Sequence, residues 1–427
     1  MRRLWFVTFS CLIGLGLIAR GEIAHANLED ILYEKGQITK EEWLKTKADH
    51  EKEEAIIQNR AATKKWFDKI SIRGYVQLRY NYNTESKNLV SEYDSSIGNN
   101  KGFLFRRVRL IFSGDITDWL SFYIQPDFSA TAGAGNNNFA QLRDAYVDIF
   151  LTQEKEWRIR GGQSKVPFGF ENLQSSQQRL ALDRVDSLNS AVNGERDIGL
   201  FLYYTPAETR KLFRELLSKG LKGSGDYGVL GVGVYNGQTT NVSEANDNKH
   251  VVLHATYPFE LPYGQIVQIG ADAYHGKINV TTAPGTGLGT TAGNVNITDE
   301  RVGAHFVLYP QPFGLQAEWN WGRGPELNAA KTAVQEGSVQ GGYVQAMYKW
   351  NDAIPYIRWQ EYNGGKKHRV NSPYNTVREV EVGLEYQFGP ALELTLAYAW
   401  SKRTDTQTAP YPTRDGEIVR AQLQWNF

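Results

Sequence analysis

The chain has 427 residues with 47 basic and 47 acidic side chains, so its formal net charge at pH 7 is zero. This balance gives no electrostatic reason to expect a nucleic-acid partner. The 41 glycines and 23 tyrosines, with one cysteine and two methionines, are typical of an extended β-protein, and no run past the N-terminus is apolar enough for a membrane-spanning helix.

The N-terminus has the pattern of a secretory signal peptide. Two arginines precede an apolar run over residues 4–18, and a cleavage pattern of small residues ends at Ala26. A short membrane anchor is the alternative. Cys11 lies inside the apolar run and not at the cleavage site, which argues against a lipoprotein signal. Cleavage after Ala26 would remove residues 1–26 and leave an exported chain without cysteine.

Residues 27–69 differ from the rest in composition, being rich in Glu and Lys. Thr39 and Glu42 have the spacing of a capping box, which predicts a helix start. We expect a short periplasmic helical segment, similar to a small coiled coil, or else a solvated linker.

From residue 70 to the end, hydrophobicity alternates with a period of two. In the last segment Val419, Leu423 and Phe427 share an apolar face, whereas Arg420 and Gln422 lie on the opposite face. A strand produces this alternation and a helix does not. The pattern predicts sixteen strands, over residues 71–82, 103–115, 119–129, 140–151, 156–165, 195–205, 227–236, 249–258, 265–276, 300–309, 313–322, 339–350, 353–361, 378–388, 391–401 and 416–427.

The connections between these segments alternate between long and short, with one exception at residues 206–226, where a short helix is predicted. Short turns at one rim and long loops at the other are typical of outer-membrane barrels. Only a closed sheet leaves no unpaired backbone in a bilayer. We therefore predict an all-β fold, a 16-stranded antiparallel transmembrane β-barrel over residues 70–427, with a lumen too wide for its own wall side chains to fill.

Aromatic residues recur near the strand ends, where they would form the interfacial girdles of a barrel. The C-terminal Phe427, on an alternating apolar face, is typical of bacterial outer-membrane proteins. The girdle candidates are Trp119, Tyr257, Tyr309, Trp350, Phe388 and Trp400.

Several blocks resemble the phosphate-selective porins of the O and P type, and the resemblance covers most of the chain after the signal peptide. They are Arg73-Gly74-Tyr75-Val76-Gln77, Phe105-Arg106-Arg107 with Gly114 and Asp118-Trp119, Asp144-Ala145-Tyr146-Val147, Gly162-Gln163-Ser164-Lys165-Val166-Pro167-Phe168-Gly169 with Glu171, Ser175 and Ser176, and Glu195-Arg196. The resemblance implies a homotrimeric porin in outer-membrane lipid and lipopolysaccharide, a third long loop folded into the lumen, and passage of small anions such as phosphate.

Strand parity places several arginines on the inner face of the barrel. Arginine stays charged and binds phosphate oxygens bidentately, so a row of them would favour anions. Ordinary pairing with carboxylates across strands is the alternative. The candidates for pore-lining anion binding are Arg73, Arg79, Arg107, Arg109, Arg158, Arg160 and Lys165. Arg106 has the opposite parity and is expected at lipid phosphate or in a bulge.

The third long loop, residues 166–194, is the predicted constriction. It begins with Pro167-Phe168-Gly169, which would bend the chain sharply, and Glu171 follows. Where the family would place its constriction lysine, this chain has Asn172, so a lysine there is missing. Glu379, Glu381 and Glu385 also point inward and would favour cations at the facing wall.

Two other classes of function stay open. The histidines show no spacing to a serine nucleophile or a metal set, and His250 and His254 would stand about 13 Å apart on one strand face. We therefore expect no enzyme, no metal and no cofactor, with a barrel enzyme as the alternative. A plugged, adhesin-like barrel or a general, cation-tolerant porin without phosphate preference would also fit. Conductance distinguishes a channel from the enzyme and the plugged barrel.

Overall fold

The computed structural model describes residues 32–63, 66–83, 102–129, 140–282, 296–405 and 413–427. The expected signal peptide lies outside these residues. The chain divides into two compact units, Met1–Asp68 and Lys69–Phe427.

The first unit contains helix α1, Lys40–Thr63, whose start agrees with the predicted capping box. The Thr39 N–H donates to Glu42 Oε2 at 2.8 Å, and the Glu42 N–H donates to Thr39 Oγ1 at 3.3 Å. Each side chain thus satisfies a backbone donor that the first helical turn leaves unpaired. A short 3₁₀ turn, Trp66–Lys69, follows.

Within the described residues, sixteen antiparallel strands form a closed barrel in which each strand pairs with its neighbours in sequence and β1 pairs with β16. The prediction of a 16-stranded barrel is confirmed. The strands are β1 (Ser71–Asn83), β2 (Gly102–Thr117), β3 (Leu120–Asp127), β4 (Gln141–Phe150), β5 (Trp157–Lys165), β6 (Arg196–Tyr204), β7 (Leu230–Tyr235), β8 (His250–Glu260), β9 (Ile266–Ile278), β10 (Ile297–Leu308), β11 (Phe313–Leu327), β12 (Val334–Tyr348), β13 (Ala353–Gly365), β14 (Tyr374–Gly389), β15 (Leu392–Asp405) and β16 (Thr413–Asn426).

The C-terminal residue closes the barrel. The Gly74 N–H donates to the Phe427 carbonyl at 2.7 Å, and the Phe427 N–H donates to the Gly74 carbonyl at 3.0 Å. A Cβ at position 74 would lie 2.7 Å from the Phe427 ring, so only glycine fits beneath it.

Alternation along each strand separates a polar interior from an apolar exterior. In β8, His250, Val252 and His254 are buried, whereas Val251 and Leu253 are exposed on the outer surface. This is the pattern expected when one face meets hydrocarbon and the other faces the lumen.

Five of the six aromatic residues predicted for the girdles are exposed, and Tyr309 is not. Its side chain is fully buried because Tyr309 continues the inward-facing positions of His305 and Val307, and its hydroxyl donates to Gln268 inside the barrel. The prediction for Tyr309 was therefore wrong.

The bulge expected as one alternative for Arg106 is present in β2, but the inward direction of this side chain was not expected. Gln77 pairs with Arg107 and the next residue, Leu78, pairs with Phe105, so Arg106 is the extra residue. A bulge of this kind re-aims a side chain. Arg106 extends to Asp183, inside the barrel, and not toward lipid phosphate.

Within the described parts of the chain, short helices occur in two of the connections. Helix α2 (Phe170–Leu173) and helix α3 (Asp186–Ala191) lie in the connection between β5 and β6. Helix α4 (Ala207–Ser218) lies in the connection between β6 and β7 and agrees with the predicted short helix. Among the described residues, none of the helices is long and apolar enough to span a membrane.

Candidate functional site

The connection between β5 and β6, residues 166–195 and hereafter the lumen segment, contacts inward-facing side chains around the barrel. The Tyr75 hydroxyl of β1 lies 2.6 Å from Ser176 Oγ. On the facing side, Arg301 of β10 donates to the Ser187 carbonyl and to Ser190 Oγ. The segment therefore crosses the interior, as predicted for the third long loop.

The Pro167-Phe168-Gly169 turn brings the segment against the wall formed by β9 to β11. Gly169 has φ of 85°, and a Cβ there would lie 2.4 Å from Glu318 Oε1. Its N–H donates to Asp272 Oδ2 at 3.1 Å, while Phe168 packs edge-on against Tyr274. Glycine is needed for both the backbone conformation and the close approach.

Glu171 and Asn172 hold the shape of the lumen segment. Glu171 Oε1 accepts from Arg358 at 3.0 Å, and Oε2 accepts from the Val185 N–H at 3.0 Å. The Asn172 amide donates to the Val166 carbonyl and accepts from Arg184. Both side chains are thus engaged in contacts within the site.

Lys165 is also turned toward the backbone of the segment. Its ammonium donates to the carbonyl of Asn172 at 2.8 Å and to that of Gln174 at 2.5 Å, and it is buried. A lysine bound by carbonyls in this way orders the chain around it. Its position two residues before Pro167-Phe168-Gly169 could be read from the sequence, but its hydrogen-bond partners could not.

Asp183 lies at the centre of a cluster of arginines, hereafter the Asp183 cluster. Its carboxylate is 2.6 Å from Arg79, 3.2 Å from Arg106 and 2.9 Å from Arg420. Burial alone would raise the pKa of Asp183, but these guanidiniums outweigh it and hold the pKa well below its usual range. Arg420 also pairs with Glu381 at 3.0 Å, so three arginines face two carboxylates and this part of the site keeps an excess of one positive charge.

Glu195 is the centre of a second cluster, hereafter the Glu195 cluster. Burial opposes the ionisation of Glu195, but the surrounding cations hold its pKa well below the usual range. Asp144 supplies a second carboxylate by pairing with Arg196 at 3.0 Å. The cations around Glu195 are Arg143 at 3.9 Å, Lys165 at 4.0 Å, Arg179 at 2.6 Å, Arg184 at 3.4 Å and Arg196.

The structure separates the predicted arginines into two groups and places one at the rim. Arg79, Arg107 and Arg109 lie together on β1 and β2, and Arg158 and Arg160 lie on β5. All five are buried, whereas Arg73, which shares their parity, is exposed.

Four of these five arginines have carboxylate partners. Arg79 pairs with Asp183 at 2.6 Å, Arg109 with Asp127 at 2.7 Å, Arg158 with Asp226 at 2.7 Å, and Arg160 with Asp148 at 2.7 Å. Arg107 differs: its Nη1 donates to Gln77 Oε1 at 2.7 Å, and among the described residues it forms no ion pair. Its Nε is buried without a hydrogen-bond partner among these residues.

The inward-facing glutamates of β14 are paired as well. Glu379 contacts Arg403 at 2.9 Å, Glu381 contacts Arg420 at 3.0 Å, and Glu385 contacts Lys222 at 2.5 Å. Their negative charge is thus compensated locally.

The two histidines of β8 contact different carboxylates. His250 Nε2 lies 3.0 Å from Asp299 Oδ2, and His254 Nδ1 contacts Asp272. In the part of the chain that the structure describes, no group of three potential ligands is placed to hold a metal ion.

The comparisons with known proteins agree with this architecture. The family profile described as "Phosphate-selective porin O and P" matches residues 76–427. The comparison with curated proteins gives no match.

Solved structures of outer-membrane proteins share the fold at low sequence identity. The outer membrane channel DcaP of Acinetobacter baumannii is 14% identical with a TM-score of 0.53, covering 84% of this chain and 97% of that chain. OmpF of Salmonella typhi is 13% identical with a TM-score of 0.51, covering 84% and 97%. An anion-selective porin from Comamonas acidovorans is 11% identical with a TM-score of 0.50, covering 84% and 99%.

A closed sixteen-stranded barrel with an apolar exterior, a polar interior and a connection folded inside defines an outer-membrane porin. The family match extends over most of the chain, and the chain belongs to the phosphate-selective porin O and P family. It is an outer-membrane β-barrel of a class of non-enzymatic channels.

Proposed function

We propose that this porin is a passive diffusion channel for small hydrophilic solutes that prefers anions, with phosphate as the candidate solute. The observation that carries the proposal is the charge of the two clusters. In the Asp183 cluster three arginines face two carboxylates, because Arg420 also pairs with Glu381. In the Glu195 cluster five cations face two carboxylates. An excess of fixed cations raises the local anion concentration.

Arg107 supports the same proposal. It is a buried cation without a carboxylate partner among the described residues, and it lies beside Arg109 on the inner face of β2. A guanidinium with unused donors can bind a phosphate oxygen. The anion-selective porin from Comamonas acidovorans, which has the same fold, gives this proposal a parallel.

The general, cation-tolerant porin is less well supported. It rested on the glutamates of β14, and each of the three has a cationic partner within 3.0 Å. These carboxylates therefore present little uncompensated charge to a passing cation.

The remaining proposals concern export and assembly. We propose that residues 1–26 are a cleaved signal peptide, that residues 27–69 lie in the periplasm, and that the barrel assembles as a homotrimer in lipid and lipopolysaccharide. Crosslinking of the purified protein, read by mass, tests the trimer. The N-terminal sequence of the mature protein tests the cleavage.

Planar-bilayer recording tests the channel function itself. The purified protein should add conductance in discrete steps, and millimolar phosphate should reduce the chloride current if phosphate binds inside. Conductance steps that phosphate does not affect would support the channel function and contradict a preference for phosphate. Insertion without conductance would instead favour a plugged barrel.

A further inference from the structure

The connection between β6 and β7, residues 205–229, breaks the alternation of short and long connections. The other connections at this rim are short, for example residues 390–391 between β14 and β15. Short turns lie on the periplasmic side of outer-membrane barrels. We therefore name residues 205–229 the periplasmic connection.

The periplasmic connection is anchored to the barrel wall. Asp226 accepts from Arg158 of β5 at 2.7 Å, from Arg210 of α4 at 3.0 Å and from Thr205 at 2.7 Å. Burial alone would raise the pKa of Asp226, but Arg158 and these hydrogen bonds lower it, so the carboxylate stays ionised. The start of the periplasmic connection, at Thr205 and Arg210, is thereby tied to Asp226 near its end.

Helix α4 turns one side to the barrel and the other to solvent. Phe213 and Leu216 are buried, whereas Glu208 and Lys211 are exposed and pair with each other at 2.8 Å. An amphipathic helix of this kind packs its apolar side against a core. That core lies at the periplasmic mouth of the lumen, since it includes Tyr309.

The chain after α4 enters the barrel. Leu221 and Lys222 are 4% and 1% exposed. The Lys222 ammonium contacts both oxygens of Glu385 on the inner face of β14, at 2.5 and 2.8 Å. A buried lysine paired in this way fixes the position of the backbone that carries it.

The periplasmic connection and the lumen segment meet inside the barrel. The Gln174 amide of the lumen segment donates to the Lys222 carbonyl at 2.5 Å. Phe170 of helix α2 belongs to the same apolar cluster as Phe213 and Leu216 of α4. Two segments from opposite rims thus form one packed unit across the lumen.

We propose that the periplasmic connection supports the constriction from below, with Lys222 as the positioning residue. It holds helix α2 and Gln174 in place, and thereby sets how far the lumen segment narrows the path. The inference rests on the proposed channel function. No solute contact is needed for this role, since Lys222 acts through its carbonyl and its pair with Glu385.

Single-channel recording of Gln174→Ala tests the proposal without removing a charge. Loss of one hydrogen bond of about 1 kcal/mol corresponds to an about fivefold larger population of the displaced segment. We therefore expect transitions to a higher conductance level to become about fivefold more frequent. Gln340→Ala, the same change at an exposed position on the outer face of β12, should leave the traces unchanged.

Lys222→Met and Lys222→Arg provide the second pair of variants. The methionine variant removes the Glu385 pair and should raise mean conductance, while the arginine variant restores a cation and should return it toward the wild-type value. Lys211→Gln, on the exposed side of α4, is the control for charge at the periplasmic mouth. Heat-modifiable mobility in gels confirms assembly of each variant, and Glu385→Gln replaces any variant that does not assemble.

The outcomes separate the inference from the proposed function. If the wild-type protein does not conduct, the channel function fails. A second outcome is that the wild-type protein conducts while the assembled Gln174 and Lys222 variants show the same conductance levels and transition frequencies as the wild type. In that case the periplasmic connection does not support the constriction, and the proposed channel function is unaffected. Larger and noisier channels in these variants alone support the inference.

Discussion

Arg107 is the residue at which charge and structure can be separated most cleanly. Its neighbour Arg109 pairs with Asp127 and also donates to Tyr75 and Ser176. Removing Arg109 would leave a buried carboxylate unpaired, at a cost of about 3–5 kcal/mol. Arg107 instead donates to the neutral Gln77, so its loss strands no charge.

Arg107→Gln should therefore assemble normally and reduce anion preference. The measurement is the zero-current potential in a salt gradient at low ionic strength. Arg378→Gln is the matched control, because Arg378 is exposed and has the outward parity of β14. Undiminished anion preference in Arg107→Gln would contradict the role of this guanidinium.

Lys366 links the lumen segment to the connection between β13 and β14. Its ammonium lies 3.1 Å from Asp186. Burial lowers the pKa of Lys366 from 10.5 to about 7, against the opposing effect of Asp186. The side chain should thus carry its charge below about pH 7 and lose it as the pH rises through that value.

Anion preference should consequently decrease as the pH rises from 6 to 8, because the lumen loses about one positive charge at Lys366. Lys366→Met should remove this step. Lys249→Met, which changes an exposed lysine at the same rim, should retain it. If anion preference in Lys366→Met falls by the same amount between pH 6 and pH 8, another group is responsible for the titration.

At the scale of elements, period-two patterning predicts the strands because the side-chain direction of a strand is fixed by its pleat. The observed β16, Thr413–Asn426, differs from the predicted 416–427 by three residues at its start and one at its end. Strand β7, Leu230–Tyr235, is shorter than predicted. The reason is that Asp226 and the positive φ of Gly228 begin the turn there.

The same patterning could not predict the site. A bulge was one alternative for Arg106, but the inward direction of its side chain depends on the pairing of β2 with β1, which a single strand does not reveal. Asp183 and Arg420 lie 237 positions apart, and their contact requires the lumen segment to be folded inside a closed barrel. The sequence could thus locate the loop that folds inside the barrel and the inward face of the arginines other than Arg106, but not their ion-pair partners.

Strand parity itself is testable at Val108. This side chain lies between Arg107 and Arg109 on the outward face of β2 and is half-buried. A charge on the lipid face at mid-bilayer costs roughly 2–4 kcal/mol. Val108→Arg should therefore lower the yield of assembled barrel, measured by heat-modifiable mobility, while Val108→Leu should not. Full assembly of Val108→Arg would contradict the parity.

Deletion of residues 172–190 tests the lumen segment as a unit. It removes all but the last residue of helix α3, Asp183 and two arginines of the Glu195 cluster, Arg179 and Arg184. Single-channel conductance should increase, and ion selectivity should weaken because the path widens. An assembled deletion variant with wild-type conductance would show that the segment does not limit the current.

At the scale of the whole molecule, the proposed anion preference depends on an electrostatic field and not on one contact. The Asp183 and Glu195 clusters both lie within the barrel, and their excess positive charge acts on ions before any contact. Salt screens such a field over a Debye length of about 10 Å at 0.1 M and about 3 Å at 1 M. Preference produced by the field should therefore fade as the salt concentration rises.

The most direct measurement is the zero-current potential of the wild-type porin in a planar bilayer, with potassium chloride at the same concentration ratio in dilute and in concentrated solutions. We expect the dilute compartment to become negative, because chloride passes through an anion-preferring pore more readily than potassium. The size of this potential should decrease as both solutions are made more concentrated at the same ratio. A dilute compartment that becomes positive, at low salt, would contradict the proposed anion preference.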